Sequence, residues 1–93
     1  MKIGGIYSAA SIRHYEIRGE MTTDEFILLA NRLAAAFDVV AKLIWIPEAD
    51  IANIHMPDGR IYVKYDVSYG LEIESTGLSD RQQAHLEKIL FAF

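Results

Sequence analysis

Six side chains between His55 and Glu74 carry most of the chemistry this sequence offers: His55, Tyr62, Lys64, Asp66, Glu72 and Glu74. They fall at alternate positions of short apolar runs, and alternate residues of an extended strand share one face. On a common sheet face, a histidine beside a carboxylate could exchange a proton, and two facing carboxylates could hold a cation. The same face could dock a protein. Tyr62, Tyr69 and Trp45 belong to the residue types that anchor interfaces, and a ring at a hairpin tip, as Tyr69 would be, cannot bury itself in its own sheet. Trp45 reads more simply as a core residue, and Phe91 lies off the main apolar stripe of the last helix. Charges that alternate along a strand are ordinarily its wet side. The residues expected to meet a partner are therefore His55, Tyr62, Asp66, Tyr69, Glu72 and Glu74, with no catalytic, cofactor-binding or metal-ligating residue assigned.

Familiar reaction signatures are missing. Gly4-Gly5 has neither the spacing nor the following lysine of a phosphate loop, and no serine stands in a Gly-x-Ser-x-Gly elbow. His14, His55 and His85 have no partner at metal-helix spacing and read as surface or partly buried side chains. The chain has 0 cysteines, which excludes disulfides, thiolate metal sites and a cysteine nucleophile. No apolar run reaches the roughly 18 residues that cross a bilayer, and the N-terminus lacks a signal-peptide core, so the expected location is the cytoplasm.

Charge narrows the partners. The net charge is -4, and the excess is confined to residues 48–93, with eight acidic and four basic side chains, whereas residues 1–47 hold five of each. Phosphates demand a basic face, so nucleic acid is disfavoured as a direct ligand, while a basic protein would be steered favourably.

The candidate face needs a sheet to hold it. Ile51–His55, Arg60–Val67 and Leu71–Ser75 read as three meander strands, with Ala52, Ile54, Ile61, Val63, Tyr65, Val67, Leu71 and Ile73 turned inward. Pro57-Asp58-Gly59 is a turn in which glycine is expected to take the left-handed position, and parity asks for the four-residue loop Met56–Gly59. At the second turn a three-residue loop, Ser68–Gly70, would set Asp66 opposite Glu72 and Lys64 opposite Glu74. A five-residue loop would set Lys64 opposite Glu72 and avoid the like-charge pair.

Upstream, Lys2–Tyr7 reads as a strand weakened by its glycines, Ser8–Ser11 as a turn, and Ile12–Arg18 as a ragged edge strand. Thr22 and Glu25 form a capping box ahead of a helix whose stripe is Phe26, Leu29, Leu33 and Phe37, with Met21 placed to staple onto Phe26 and Asp38 near the end. Val39–Ile46 suggests a central strand buried on both faces, with continuation of the helix as the competing assignment. Pro47–Asp50 reads as an acidic loop. Ser79 and Gln82 cap a last helix striped by Leu86, Ile89, Leu90 and Phe93.

The expected order is β-β-α-β-β-β-β-α in one domain: an α+β two-layer sandwich, its largely antiparallel sheet covered on one face by two helices. From this follows a small acidic protein-interaction module, for example an immunity- or antitoxin-type inhibitor seated in a basic active site. The alternative is a homo-oligomeric structural or regulatory subunit. A small enzyme or ligand-binding domain ranks third.

Overall fold

The computed structural model describes residues 3–9, 12–17 and 19–93, with the side chains of residues 3–9 left aside. The element order is β1 (Ile3–Ala9), β2 (Ile12–Ile17), α1 (Thr23–Ala36), β3 (Lys42–Ile46), β4 (Ala49–His55), β5 (Arg60–Asp66), β6 (Gly70–Thr76) and α2 (Asp80–Ala92). The six strands form one antiparallel sheet in the order β1-β2-β6-β5-β4-β3. Both helices lie on one face, where Tyr15, Ile17, Ala52, Ile54, Ile61, Val63, Tyr65, Leu71 and Ile73 meet Phe26, Leu29, Leu33, Leu86 and Leu90 in one buried cluster. The α+β two-layer architecture and its element order match the expectation.

Local chemistry accounts for the elements. In α1 the Thr22 side chain accepts the Glu25 amide, and Glu25 accepts the Thr22 amide. That second bond holds the Glu25 carboxyl below its ordinary range. Ser79 and Gln82 repeat the box at α2. α1 ends in a Schellman motif: Asp38 donates to the Ala35 carbonyl, Val39 donates to that of Ala34, and Asp38 takes φ 60.

The meander keeps the inferred parity. His55 pairs with Arg60, which leaves Met56–Gly59 as the four-residue loop. Gly59 is not left-handed, however. It is required because a Cβ there would collide with the Thr76 carbonyl oxygen, while one on Gly77 would lie 2.5 Å from the Asp58 carbonyl oxygen. The β4–β5 turn and the entry to α2 thus touch backbone to backbone.

At the next hairpin the favourable register holds: Lys64 lies opposite Glu72, Tyr62 opposite Glu74, and Asp66 opposite Gly70. Val67 therefore drops into the turn and is 86% exposed rather than buried. Gly70, at φ 85, supplies the positive φ this tight turn needs, and Asp66 accepts the Ser68 amide across the turn.

Two strands exchange their expected places. β2 is not an edge: it pairs with β1 on one side and β6 on the other. β3 is not central: it pairs with β4 and forms the other border of the sheet, with Trp45 and Ile46 exposed. The apolar start of the expected strand, Val39–Ala41, is the connection out of α1, and Val40 is exposed. Ala49 and Asp50 belong to β4, so the acidic loop shrinks to the turn Pro47-Glu48. β1 extends to Ala9, beyond the expected Tyr7, and its pairing slips between Ile3 and Gly5 at the glycine pair. Lys2, Ala10, Ser11 and Arg18, on which parts of the two N-terminal strands and the turn between them were placed, lie outside the described residues.

Candidate functional site

The sheet face opposite the helices carries the chemistry. Alternation along each strand puts His14 and Glu16 of β2, Glu72 and Glu74 of β6, Arg60, Tyr62, Lys64 and Asp66 of β5, Asn53 and His55 of β4, and Lys42 of β3 on this face, because their neighbours fill the core. Five of the six partner-binding residues expected from sequence lie here: His55, Tyr62, Asp66, Glu72 and Glu74. Tyr69, the sixth, is 80% exposed at the β5–β6 turn.

They do not converge as one group. His55 sits at the far end of β4 opposite Arg60, two strands from Glu74 and nearer a guanidinium than a carboxylate in register. Asp66 closes the β5–β6 turn through the Ser68 amide. Tyr62, Glu72 and Glu74 do cluster, and the histidine among the carboxylates is His14. It pairs with Glu74 across β2–β6, as Glu16 pairs with Glu72. His14 Nε2 lies 3.7 Å from Glu16 Oε1, and His14 Nδ1 lies 3.8 Å from Glu74 Oε2. His14 and Glu16 were missed in sequence. The alternation of Arg13, Tyr15 and Ile17 against them was legible, but the pairing of β2 with β6 joins residues roughly 60 positions apart and leaves no local trace.

This corner has a defined donor set. One ligand atom from each of His14, Glu16 and Glu72 lies within 4.8 Å of the others. An imidazole with two carboxylates suits a divalent transition metal in principle. Beside the corner, a shallow depression of about 530 Å³ opens between the β5–β6 turn and the segment after β2, rimmed by Glu16, Glu20, Glu72 and Tyr69. Its three carboxylates and phenol ring suit a cationic group.

The rest of the face has the opposite sign. β2 and β6 present Glu16, Glu72 and Glu74, whereas β5 and β3 present Arg60, Lys64 and Lys42, with Asp66 the exception at the turn. The boundary between acidic and basic halves runs between β6 and β5, midway across the six strands.

A second polar cluster lies under the other face. Tyr15 Oη donates to Glu87 Oε1 at 2.7 Å, Arg13 donates to the same oxygen at 3.0 Å, Ser75 Oγ donates to Gln83 Oε1 at 2.8 Å, and Gln83 Nε2 donates to Tyr15 Oη. Burial, followed by the bond to Glu87, pushes the Tyr15 phenol up to about 12. No buried side-chain polar atom lacks a partner among the described residues, and this cluster fastens α2 to the sheet.

The other aromatics divide. Trp45 is on the core side of an exposed edge and meets Phe26 edge to face at 6.3 Å, while Phe91 is exposed on α2. Among the described residues no helix is long and apolar enough to cross a membrane. No protein-family model, curated protein or solved structure matches this chain.

Proposed function

We propose that the chain is a protein-interaction module whose working surface is the uncovered sheet face, and that its acidic half receives a basic surface of the partner. The observation that carries this reading is the set Glu16, Glu72 and Glu74 in adjacent register on β2 and β6, with no helix over them among the described residues. Among the described residues, the nitrogens within 4.0 Å of Glu16 and Glu74 belong to His14 rather than to lysine or arginine. Carboxylates held in rows on a rigid sheet keep their geometry before binding, which lowers the ordering cost of a charge-complementary contact. Tyr69 and the depression beside it extend the surface beyond the strands and supply an aromatic anchor.

The test is capture of partners from the native cell, followed by affinity measurement with the purified partner. Wild type is compared with Glu16→Gln/Glu72→Gln/Glu74→Gln. The variant is expected to lose at least tenfold in affinity, and wild-type binding is expected to weaken as salt screens exposed charges. Equal affinity of the two chains for the same partner sinks the reading.

A further inference from the structure

We infer that the partner of the uncovered face is a second copy of this chain, docked sheet to sheet about a two-fold axis that runs along the strands between β5 and β6. This rests on the docking reading above and names its occupant. The basic surface that the acidic half calls for is present on the chain itself: Arg60, Lys64 and Lys42 stand on the other half of the same face.

Symmetry decides which docking uses them. A two-fold axis along the strands turns the sheet over and exchanges its left and right halves, so β6 of one copy lies on β5 of the other. Glu72 then faces Lys64 of the second copy, and Lys64 faces its Glu72. A two-fold axis across the strands would lay acidic half on acidic half and is rejected by charge. Each contact occurs twice, as an isologous interface requires. Sheets packed in this way lie about 10 Å apart with strands within about 30°, close enough for the pairs to meet.

Size sets the strength. Strands about 4.8 Å apart and five to seven residues long give a face of roughly 600 Å² in projection. A standard interface buries about 800 Å² per partner. Tyr62 and Ile51 supply apolar area near the middle, but the charged rows must be desolvated, so the dimer is weak and loosens with salt.

Analytical ultracentrifugation from about 1 µM to about 1 mM at low and high salt tests this. Wild type is expected to be dimeric at the upper concentrations in low salt and monomeric in high salt. Glu72→Lys and Lys64→Glu should each raise the dissociation constant about tenfold or more, since each faces a like charge in its own homodimer. An equimolar mixture of the two variants should recover the dimer. In the mixed pair the lysine introduced in one chain faces the glutamate introduced in the other, and the native Lys64 of the first faces the native Glu72 of the second.

Pairing within one chain cannot produce that rescue, and unchanged circular dichroism of each variant separates a lost contact from a lost fold. A wild-type chain that stays monomeric at about 1 mM overturns the second copy as occupant and leaves the capture experiment to judge the docking reading. A dimer indifferent to both substitutions and to their mixture forms through another surface, which overturns the second copy as occupant of this face and again leaves the capture experiment to judge the docking reading.

Discussion

The two helices cover the same sheet face but hold it by different chemistry. α1 turns Phe26, Leu29, Ala30, Leu33 and Ala34 into the core, all buried and all apolar. α2 has two fully buried apolar anchors, Leu86 and Leu90, and turns Gln83 and Glu87 toward Tyr15, Ser75 and Arg13. Apolar contact is non-directional and tolerates small shifts, while a hydrogen-bond chain fixes position and fails when one member is missing. α1 therefore holds by apolar burial, and α2 adds through Gln83 a directional tie across β2 and β6, whose backbone pairing sets their placement. That placement is what brings His14 and Glu16 beside Glu72 and Glu74 on the opposite face.

The sharpest way to separate the two attachments is to damage each in turn. Leu33 is fully buried, so Leu33→Ala should cost about 2–5 kcal/mol in urea unfolding, through lost transfer energy and the cavity left behind. Tyr15→Phe keeps the ring and removes one hydroxyl, depriving Gln83 and Glu87 of a partner; it should cost about 1–3 kcal/mol. Adding Gln83→Met to Tyr15→Phe should cost less than the two single changes together, because the donor and acceptor that lose each other leave at once. If Tyr15→Phe proves neutral, Leu86 and Leu90 hold α2 alone and the contrast between the helices disappears.

The same contrast explains what was legible in the sequence. Both capping boxes, the α1 stripe and the inward residues of β4 and β6 are set by spacing within a few residues, and the structure has them as expected. The places of β2 and β3 were reversed because local hydrophobicity does not report pairing. Arg13 on the face of Tyr15 and Ile17, with Ile12 opposite, made β2 resemble a border strand, yet Arg13 is matched by Glu87 on α2, a partner 74 positions away. The apolar run before Trp45 made β3 resemble a central strand, yet Val39 and Val40 are spent on leaving α1. For the candidate site, Glu72, Glu74 and Tyr62 could be placed on one face from the meander alone. His14, Glu16 and the sign reversal between β6 and β5 required the strand order.

pH sharpens the comparison at lower amplitude, because the α2 attachment contains a buried phenol, Tyr15, held well above its ordinary value. The Tyr15 phenol rises from 10.0 to about 12 in the folded chain. Above pH 10 the unfolded chain loses this proton while the folded chain keeps it, so stability falls as pH rises, and the contribution is gone once pH passes the folded value. At about pH 11 the loss should be about 1 kcal/mol relative to pH 9. Tyr15→Phe should lack that component, whereas Leu33→Ala should retain it on a lower baseline. Equal alkaline slopes in wild type and Tyr15→Phe would show that the phenol is not held by the network.

The smallest effect separates the helices at their C-termini. α1 must turn sharply into the Val39–Ala41 connection, and its Schellman turn puts Asp38 at φ 60, a conformation that costs an ordinary side chain strain and glycine none. Asp38 also sets a negative charge at the negative end of the helix dipole, where no basic residue occupies the last turn. Asp38→Gly should therefore stabilise the fold by about 0.5 kcal/mol, strain and charge relief slightly exceeding the added freedom of the unfolded chain. Asp38→Asn separates the two causes, since it removes the charge and keeps a side chain that tolerates the left-handed region. Equal gains from the two substitutions assign the effect to the dipole, and a gain from glycine alone assigns it to the backbone.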